Sequence, residues 1–332
     1  MKIKFLIFLF IFISIDLNTV IADQSRFEVE NIKLTNYGET INAFNGKFTS
    51  IDNNLIIRAE KFSYNKNNKI LNVFNGTADI KPNNLTIKFD ESKYNENNFK
   101  LDAKGNIKIN DSENNLLIES DVITVDRNKD FITAKGNIKI NDSENNLLIE
   151  SNIISFDRKN HIIESNKNSI IKDKFSNLFS VSEFIFDNQK NLIKIKNSSF
   201  YDFENNNLNI KSAFIDIVSN KLIGKDISIN LNNKSFDKEN EPRIKGKSVS
   251  HNKDITEISK GVFTPCKKTD KCPPWQLSAE RITHIKSKKI IDYQNVWLKI
   301  YDVPVVYFPK FFHPDPTVKR QSGFLIPSFK TS

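Results

Sequence analysis

The string AKGNIKINDSENNLLIES fills positions 103–120 and returns, letter for letter, at 134–151, 31 residues later. Looser copies come before it. Gly46, Gly76, Gly105 and Gly136 mark the region at steps of 30, 29 and 31, each followed by a short alternating segment. A unit of this size cannot bury an apolar face by itself. A chain of such units therefore has to stack or wind so that each covers its neighbours.

Inside each unit the hydrophobic period is two. Ile107 and Ile109 share one face while Asn106, Lys108 and Asn110 take the other. Leu116 and Ile118 continue on even positions, and the apolar parity then switches to Ile123 and Val125. The duplicate repeats the switch, with Ile138, Ile140, Leu147 and Ile149 followed by Ile154 and Phe156, and Leu55 and Ile57 begin an earlier copy. Side chains alternate strictly along a strand, so a parity change marks a corner or bulge where the chain turns its inner face onto a second sheet. Polar tetrads such as 65–68 and 127–130 supply the turns. The pattern predicts an all-β roll of short antiparallel strands wound between two sheets, apolar inside and polar outside. Between 187 and 259 the period blurs, yet Leu208 and Ile210, then Ile227 and Ile229, still alternate and no Pro/Gly/Ser linker intervenes. Residues 23–313 therefore read as one winding.

The amino end carries an address. Lys2 and Lys4 precede eleven residues, 5–15, that are apolar except for Ser14, and Val20-Ile21-Ala22 offers a cleavage site before Asp23. This is the order of a secretory signal peptide, predicted to span 1–22. Eleven helical residues are too short for a hydrocarbon core of about 30 Å. Lys and Arg number 49 against 40 Asp and Glu, a net +9. Lys, Asn, Ile and Phe are all abundant, as in an AT-rich genome, which accounts for that excess. It also suits an anionic partner such as a phosphorylated lipid.

Catalytic patterns are missing from the sequence. His161, His251, His284 and His313 share no HExxH, nucleophile elbow or triad-like setting. There is no Walker or Rossmann glycine pattern and no aromatic-basic surface typical of nucleic-acid binding. The reading is a non-enzyme with no cofactor and no resident metal. Cys266 and Cys272 are the two cysteines. Three readings stand. They pair locally, closing a short loop worth roughly 2–2.5 kcal/mol on the chain-entropy account; Cys266 pairs with a cysteine elsewhere; or the two bind zinc with His284, a poor ligand set.

Prolines crowd in after Gly261, and four stretches follow in order: GVFTPC at 261–266, PPWQLSAE at 273–280, VPVVYFP at 303–309 and RQSGFLIP at 320–327. Together they resemble the LptD family of LPS-assembly proteins, also called organic-solvent-tolerance proteins. In that family a cysteine motif precedes a tryptophan strand, a proline-flanked strand, and an RSGFLxP strand that opens a transmembrane barrel. The repeats resemble, in pattern, the family's periplasmic domain, an open β-jellyroll, although here the repeated region is longer than in the family, which implies extra windings.

The resemblance implies transport and assembly of lipopolysaccharide at the periplasmic face of the outer membrane. Leu55, Ile57, Ile107, Ile109, Leu116, Ile118, Ile123, Val125, Ile138, Ile140, Leu147, Ile149, Ile154 and Phe156 would line a groove for acyl chains; the alternative is that they form a dry core. A periplasmic bridge protein would add a strand to the edge that follows Asp23, and a lipoprotein plug would join through the barrel. Residues 314–332 would be the junction and first barrel strand, at most one strand of a barrel that the sequence otherwise lacks, as in a fragment or truncated product. Pro327, a residue that removes a ladder donor, would weaken a lateral gate. Cys266 would match the family's cysteine, with its partner in the barrel. Two rival readings are a free-standing lipopolysaccharide-binding bridge protein of the same jellyroll type and a repeat-built surface or adhesive protein.

Overall fold

Asn65 shows how the chain reverses. Its side-chain oxygen accepts the backbone N–H groups of Asn67 and Asn68 at 3.0 and 3.1 Å, and Lys69 closes the turn with φ of 54°. Asn95, Asp126, Asp157, Asp187 and Asp216 open later turns through equivalent side-chain acceptors. The polar tetrads are therefore turns because short Asn and Asp side chains satisfy the backbone while a left-handed residue brings the chain round.

The computed structural model describes residues 25–314 apart from 83, 202–204, 233–239, 268 and 270–272, together with 318. The signal segment expected at 1–22 and the Pro327 strand lie outside the described residues. The first strands are β1 (Arg26–Thr35), β2 (Thr40–Thr49), β3 (Leu55–Asn65), β4 (Ile70–Ile80), β5 (Leu85–Asn95), β6 (Lys100–Asp111), β7 (Leu116–Asp126), β8 (Phe131–Asp142) and β9 (Leu147–Asp157). Four short strands follow: β10 (Ile162–Ser165), β11 (Ser169–Lys172), β12 (Leu178–Val181) and β13 (Glu183–Asp187). The rest are β14 (Leu192–Tyr201), β15 (Asn207–Asp216), β16 (Lys221–Asn230), β17 (Arg243–His251), β18 (Ile255–Thr264), β19 (Trp275–Ile285), β20 (Ile290–Ile300) and β21 (Val303–Pro314).

All pair antiparallel in one sheet. Neighbours in sequence are neighbours in space, except where β9 pairs with both β10 and β11, and β14 with both β12 and β13. There the regular strand is broken at 166–168, and Ser151, Ser165 and Ser169 fill the break with mutual hydroxyl contacts of 3.2 and 2.9 Å.

The sequence predicted short strands wound between two sheets. The structure instead joins the two alternating segments of each unit into one long strand, bent where the parity changes. In β7 the buried positions are Leu116, Ile118 and Ser120, then Ile123, Val125 and the terminal Asp126, with Asp121 and Val122 both outward at the bend. The register slips by one at this point between β7 and β8, and again between β8 and β9. A single sheet thus folds along a crease, and the two halves of a bent strand such as β7 bury the same interior.

The crease has a chemical signature. On the even strands a left-handed residue sits at the bend: Asn45, Asn75, Asn106 and Asn137, with Asn197 and Asn295 further on, at φ between 45° and 50°. Five donate their side-chain amide to the strand before them, reaching Glu30, Glu60, Asp90, Asp121 and Glu280, and Asn197 reaches Ser182 between β12 and β13, all at 2.7–3.1 Å. Asparagine tolerates positive φ better than other side chains, and its amide then ties the bend to the neighbouring strand.

Candidate functional site

One row of register-paired residues crosses the sheet, turned inward from Phe27 to Leu298 and ending on exposed Val306 in β21. It runs through Phe27, Phe48, Ile57, Ala78, Ile87, Ile109, Ile118, Ile140, Ile149 and Ile171, each the register partner of the next. From Ile171 it continues through Phe179, Phe200, Leu208, Ile229, Ile244, Phe263, Leu277, Leu298 and Val306. Every position is apolar. At about 4.8 Å per strand the row is on the order of 85 Å long.

The wall across the crease behaves differently along its length. Its row is Leu71, Tyr94, Leu101, Val125, Ile132, Phe156, Ile163, Phe186, Ile193, Ile215 and Leu222, then His251, Thr256, His284, Ile291 and His313. Three histidines that look unrelated in sequence therefore lie along one wall near the carboxyl end. His251 Nδ1 is 2.7 Å from Thr256 Oγ1, and His313 Nε2 is 2.8 Å from the Tyr293 hydroxyl. Burial, then Lys286 and His284, push the His251 pKa down to about 4. Burial raises the Tyr293 hydroxyl above its usual range.

All fourteen residues predicted as groove lining are buried and belong to one apolar cluster. Leu55 and Ile57 come from β3, Ile107 and Ile109 from β6, and Ile138 and Ile140 from β8. Leu116, Ile118, Ile123 and Val125 come from the two halves of β7, and Leu147, Ile149, Ile154 and Phe156 from those of β9.

The interior is closed along one side by side chains alone. The turns at the two long margins of the creased sheet face each other, and polar groups bridge them. Arg127, after β7, reaches Asp52, between β2 and β3, at 2.5 Å. His161 Nδ1 lies 2.6 Å from Asn114 Oδ1, and Asn188 donates to the Asn114 carbonyl oxygen at 3.0 Å. Asn145 donates to Asn191 at 2.8 Å, and Asn177 to Asn220 at 3.4 Å. The sequence reading expected a roll open along one side. From Asp52 to Asn220 these contacts join the margins into a seam.

Arg158 is the most enclosed part of that seam. Its side chain is 1% exposed and grips Asp111, itself 0% exposed, through Nε at 2.7 Å and a terminal nitrogen at 3.0 Å. Asp130 at 2.7 Å and Glu113 at 3.3 Å complete the cluster. Burial opposes the charge on Arg158, but Asp111 and then Asp130 outweigh it and raise its pKa further. Arg127, 7% exposed, also donates to the Tyr94 hydroxyl at 2.8 Å and lies over the Tyr94 and Phe99 rings, while its buried Nε has no partner among the described residues. Burial leads the shift that pushes the Tyr94 hydroxyl up to about 12. The sequence reading missed both arginines, although each follows an Asp at the same place in the 31-residue repeat.

Cys266 is half-buried with its sulfur 3.6 Å from the Trp275 carbonyl oxygen. Cys272 lies outside the described residues, and with it the local pairing. His284 stands nine residues from Trp275 on β19, about 30 Å along the strand, so it is far from the Cys266 thiol. Among the described residues no three His, Cys, Asp or Glu side chains group as a metal site. No helix there is long and apolar enough to cross a membrane, which says nothing of β-barrels.

The structure so far defines an all-β protein with a long apolar interior, creased on one side and seamed by polar side chains on the other. Part of the chain is similar to bacterial proteins named LPS-assembly protein LptD. It is 36% identical to that of Pseudomonas fluorescens over 77 residues, which make up 23% of this chain and 8% of the relative. It is 37% identical to that of Pseudomonas entomophila over 78 residues, 24% of the chain and 8% of the relative. With that of Shewanella sp. strain MR-4 it shares 42% identity over 65 residues, 18% of the chain and again 8% of the relative. No known family profile matches the chain.

Proposed function

We propose that this chain serves lipopolysaccharide transport and assembly at the periplasmic face of the outer membrane, holding acyl chains in the roll while the sugar head stays in water. It acts by binding and transfer, without catalysis. The observation that carries the reading is the unbroken inward apolar row from Phe27 to Leu298, supported by the name its relatives share. A lipid chain of about a dozen methylenes costs on the order of 10 kcal/mol to leave in water, at about 0.8 kcal/mol each. A continuous apolar path removes that cost at every step of a transfer across an aqueous space. The lining residues are the fourteen named from the sequence.

The same reading assigns β1 as the docking edge for a bridge protein of similar roll type. Among the described residues β1 pairs on one side only, with β2, and it carries exposed Ile32 and Leu34. An unpaired edge accepts a further strand.

The test is site-specific photo-crosslinking in cells. A crosslinker at Ile118 or Ile149, which point inward, should capture lipopolysaccharide; one at Glu119 or Glu150, on the outer face, should not. Equal labelling at both parities would refute the lumen assignment.

A further inference from the structure

We propose that Arg127 and Arg158 form a phosphate-binding site for the lipid's head group, exchanging their seam carboxylates for phosphate when the roll opens to take in acyl chains. This rests on the lipid reading above.

The seam is where the roll can part at least cost. Elsewhere along its length the interior is bounded by strands tied through backbone ladders, and the crease is continuous backbone. Between Asp52 and Asn220 the two margins are joined by side-chain contacts. Parting them breaks a handful of polar contacts and no ladder. A lipid whose chains enter this way leaves its head at the seam, beside whatever polar groups the margins carry.

Those groups include two arginines in a shape suited to phosphate. Arg127 and Arg158 occupy equivalent places in successive repeats, two strands apart, so their turns are separated by about 10 Å along the roll. Arg158 already holds Asp111 through two nitrogens. The planar guanidinium fork that receives a carboxylate in this way also matches a phosphate through two nitrogens, whereas an ammonium binds one only as a point charge. Arg127 keeps a buried Nε with no acceptor among the described residues, a donor that an incoming oxyanion would satisfy. Exchange also keeps the charges matched. The guanidinium trades one anion for another and is never left buried alone, the state that costs most. The displaced carboxylates move toward water at the parted margin, and Glu113 is already half-exposed there.

The experiment compares binding of rough-type lipopolysaccharide with binding of the same material after enzymatic dephosphorylation, using the purified protein in detergent-free buffer. Wild type should prefer the phosphorylated form by at least about tenfold, the scale of losing charge-assisted hydrogen bonds. The preference should shrink as salt is raised. The double variant R127Q/R158Q should bind both forms alike, and D111N/R158Q, which keeps Arg127, should lose most of the preference. In D111N/R158Q no charge is left at that pair, so the fold survives to be measured. R58Q, on the outer face beside Asp79, should behave as wild type. Equal affinity of wild type for both forms would overturn the phosphate site and leave the lipid reading standing, as would an undiminished preference in either double variant. Failure of wild type to bind either form would overturn the lipid reading, and this inference with it.

Discussion

Asn106 donates its side-chain amide to Asp90 of the neighbouring strand at 2.7 Å along the crease, and Asn137 repeats the contact with Asp121 at 2.9 Å. The two pairs are 31 residues apart, one copy of the duplicated unit. Each Asn follows a glycine at φ of 78°, Gly105 or Gly136, so the bend is made by two consecutive left-handed residues. The acid on the preceding strand then fills the space a Cβ would need. This device lets a strand reverse its inward parity without leaving the sheet.

Gly136→Ala should therefore destabilise the protein by about 2 kcal/mol or more. A left-handed alanine alone costs roughly 1–2 kcal/mol, and its Cβ would meet the Asp121 carboxylate. Asn137→Ala should cost less, about 1 kcal/mol, through the lost hydrogen bond. Urea titration of the three proteins checks the order. A Gly136→Ala midpoint equal to that of wild type would show that the bend does not need the glycine.

Burial predicts a sharp contrast along a single strand. Ile118→Ala should lose about 2–5 kcal/mol, as large-to-small changes in a packed core do, whereas Leu117→Ala on the outer face should lose under about 0.5 kcal/mol. Thermal or urea unfolding decides it. Similar losses at both positions would mean that the period-two reading of β7 fails.

The interior was legible in the sequence because alternation depends on one variable, the side of the sheet on which a side chain falls. Ile107, Ile118 and Ile149 could be placed from that alone. The parity switch between Ile118 and Ile123 was equally visible. What alternation could not decide was whether the switch joins two sheets or creases one, since both geometries bury the same residues. The acid-to-Asn spacing of 15 or 16 residues, Glu60 to Asn75 or Asp121 to Asn137, carried that information. It looks like ordinary polar composition until the register sets each pair side by side. The seam was hidden for a different reason. Arg158 and Asp111 are 47 residues apart and meet only through the curvature of the whole sheet, which no local period encodes.

Removing Arg158 should be costly in a way that removing the pair is not. Arg158→Gln leaves Asp111 enclosed with no cation, a loss of about 3–5 kcal/mol. D111N/R158Q should recover most of that, because two neutral amides can still pair. Equilibrium unfolding of wild type, the single variant and the double variant forms the comparison. A double variant no more stable than Arg158→Gln would show that geometry, not uncompensated charge, sets the cost.

Acid should weaken the carboxyl-terminal end of the roll through His251. Burial, reinforced by Lys286 and His284, holds its pKa at about 4 against an ordinary 6.5. Between those values the unfolded chain carries the proton and the folded chain does not, so protons favour unfolding. The stability is fully present above pH 6.5 and drains away as pH falls toward 4, at up to about 1.4 kcal/mol per unit. Carboxylates held low, such as Asp52 and Asp216, act in the same direction, but their contribution is lost only as pH falls toward and through their ordinary 3.8, so the upper part of this window belongs to the histidine. His251→Asn, which keeps a polar partner for Thr256, should flatten the decline between pH 6.5 and 4.5. Unfolding midpoints across that range are the measurement. Parallel declines in variant and wild type would place the acid sensitivity elsewhere.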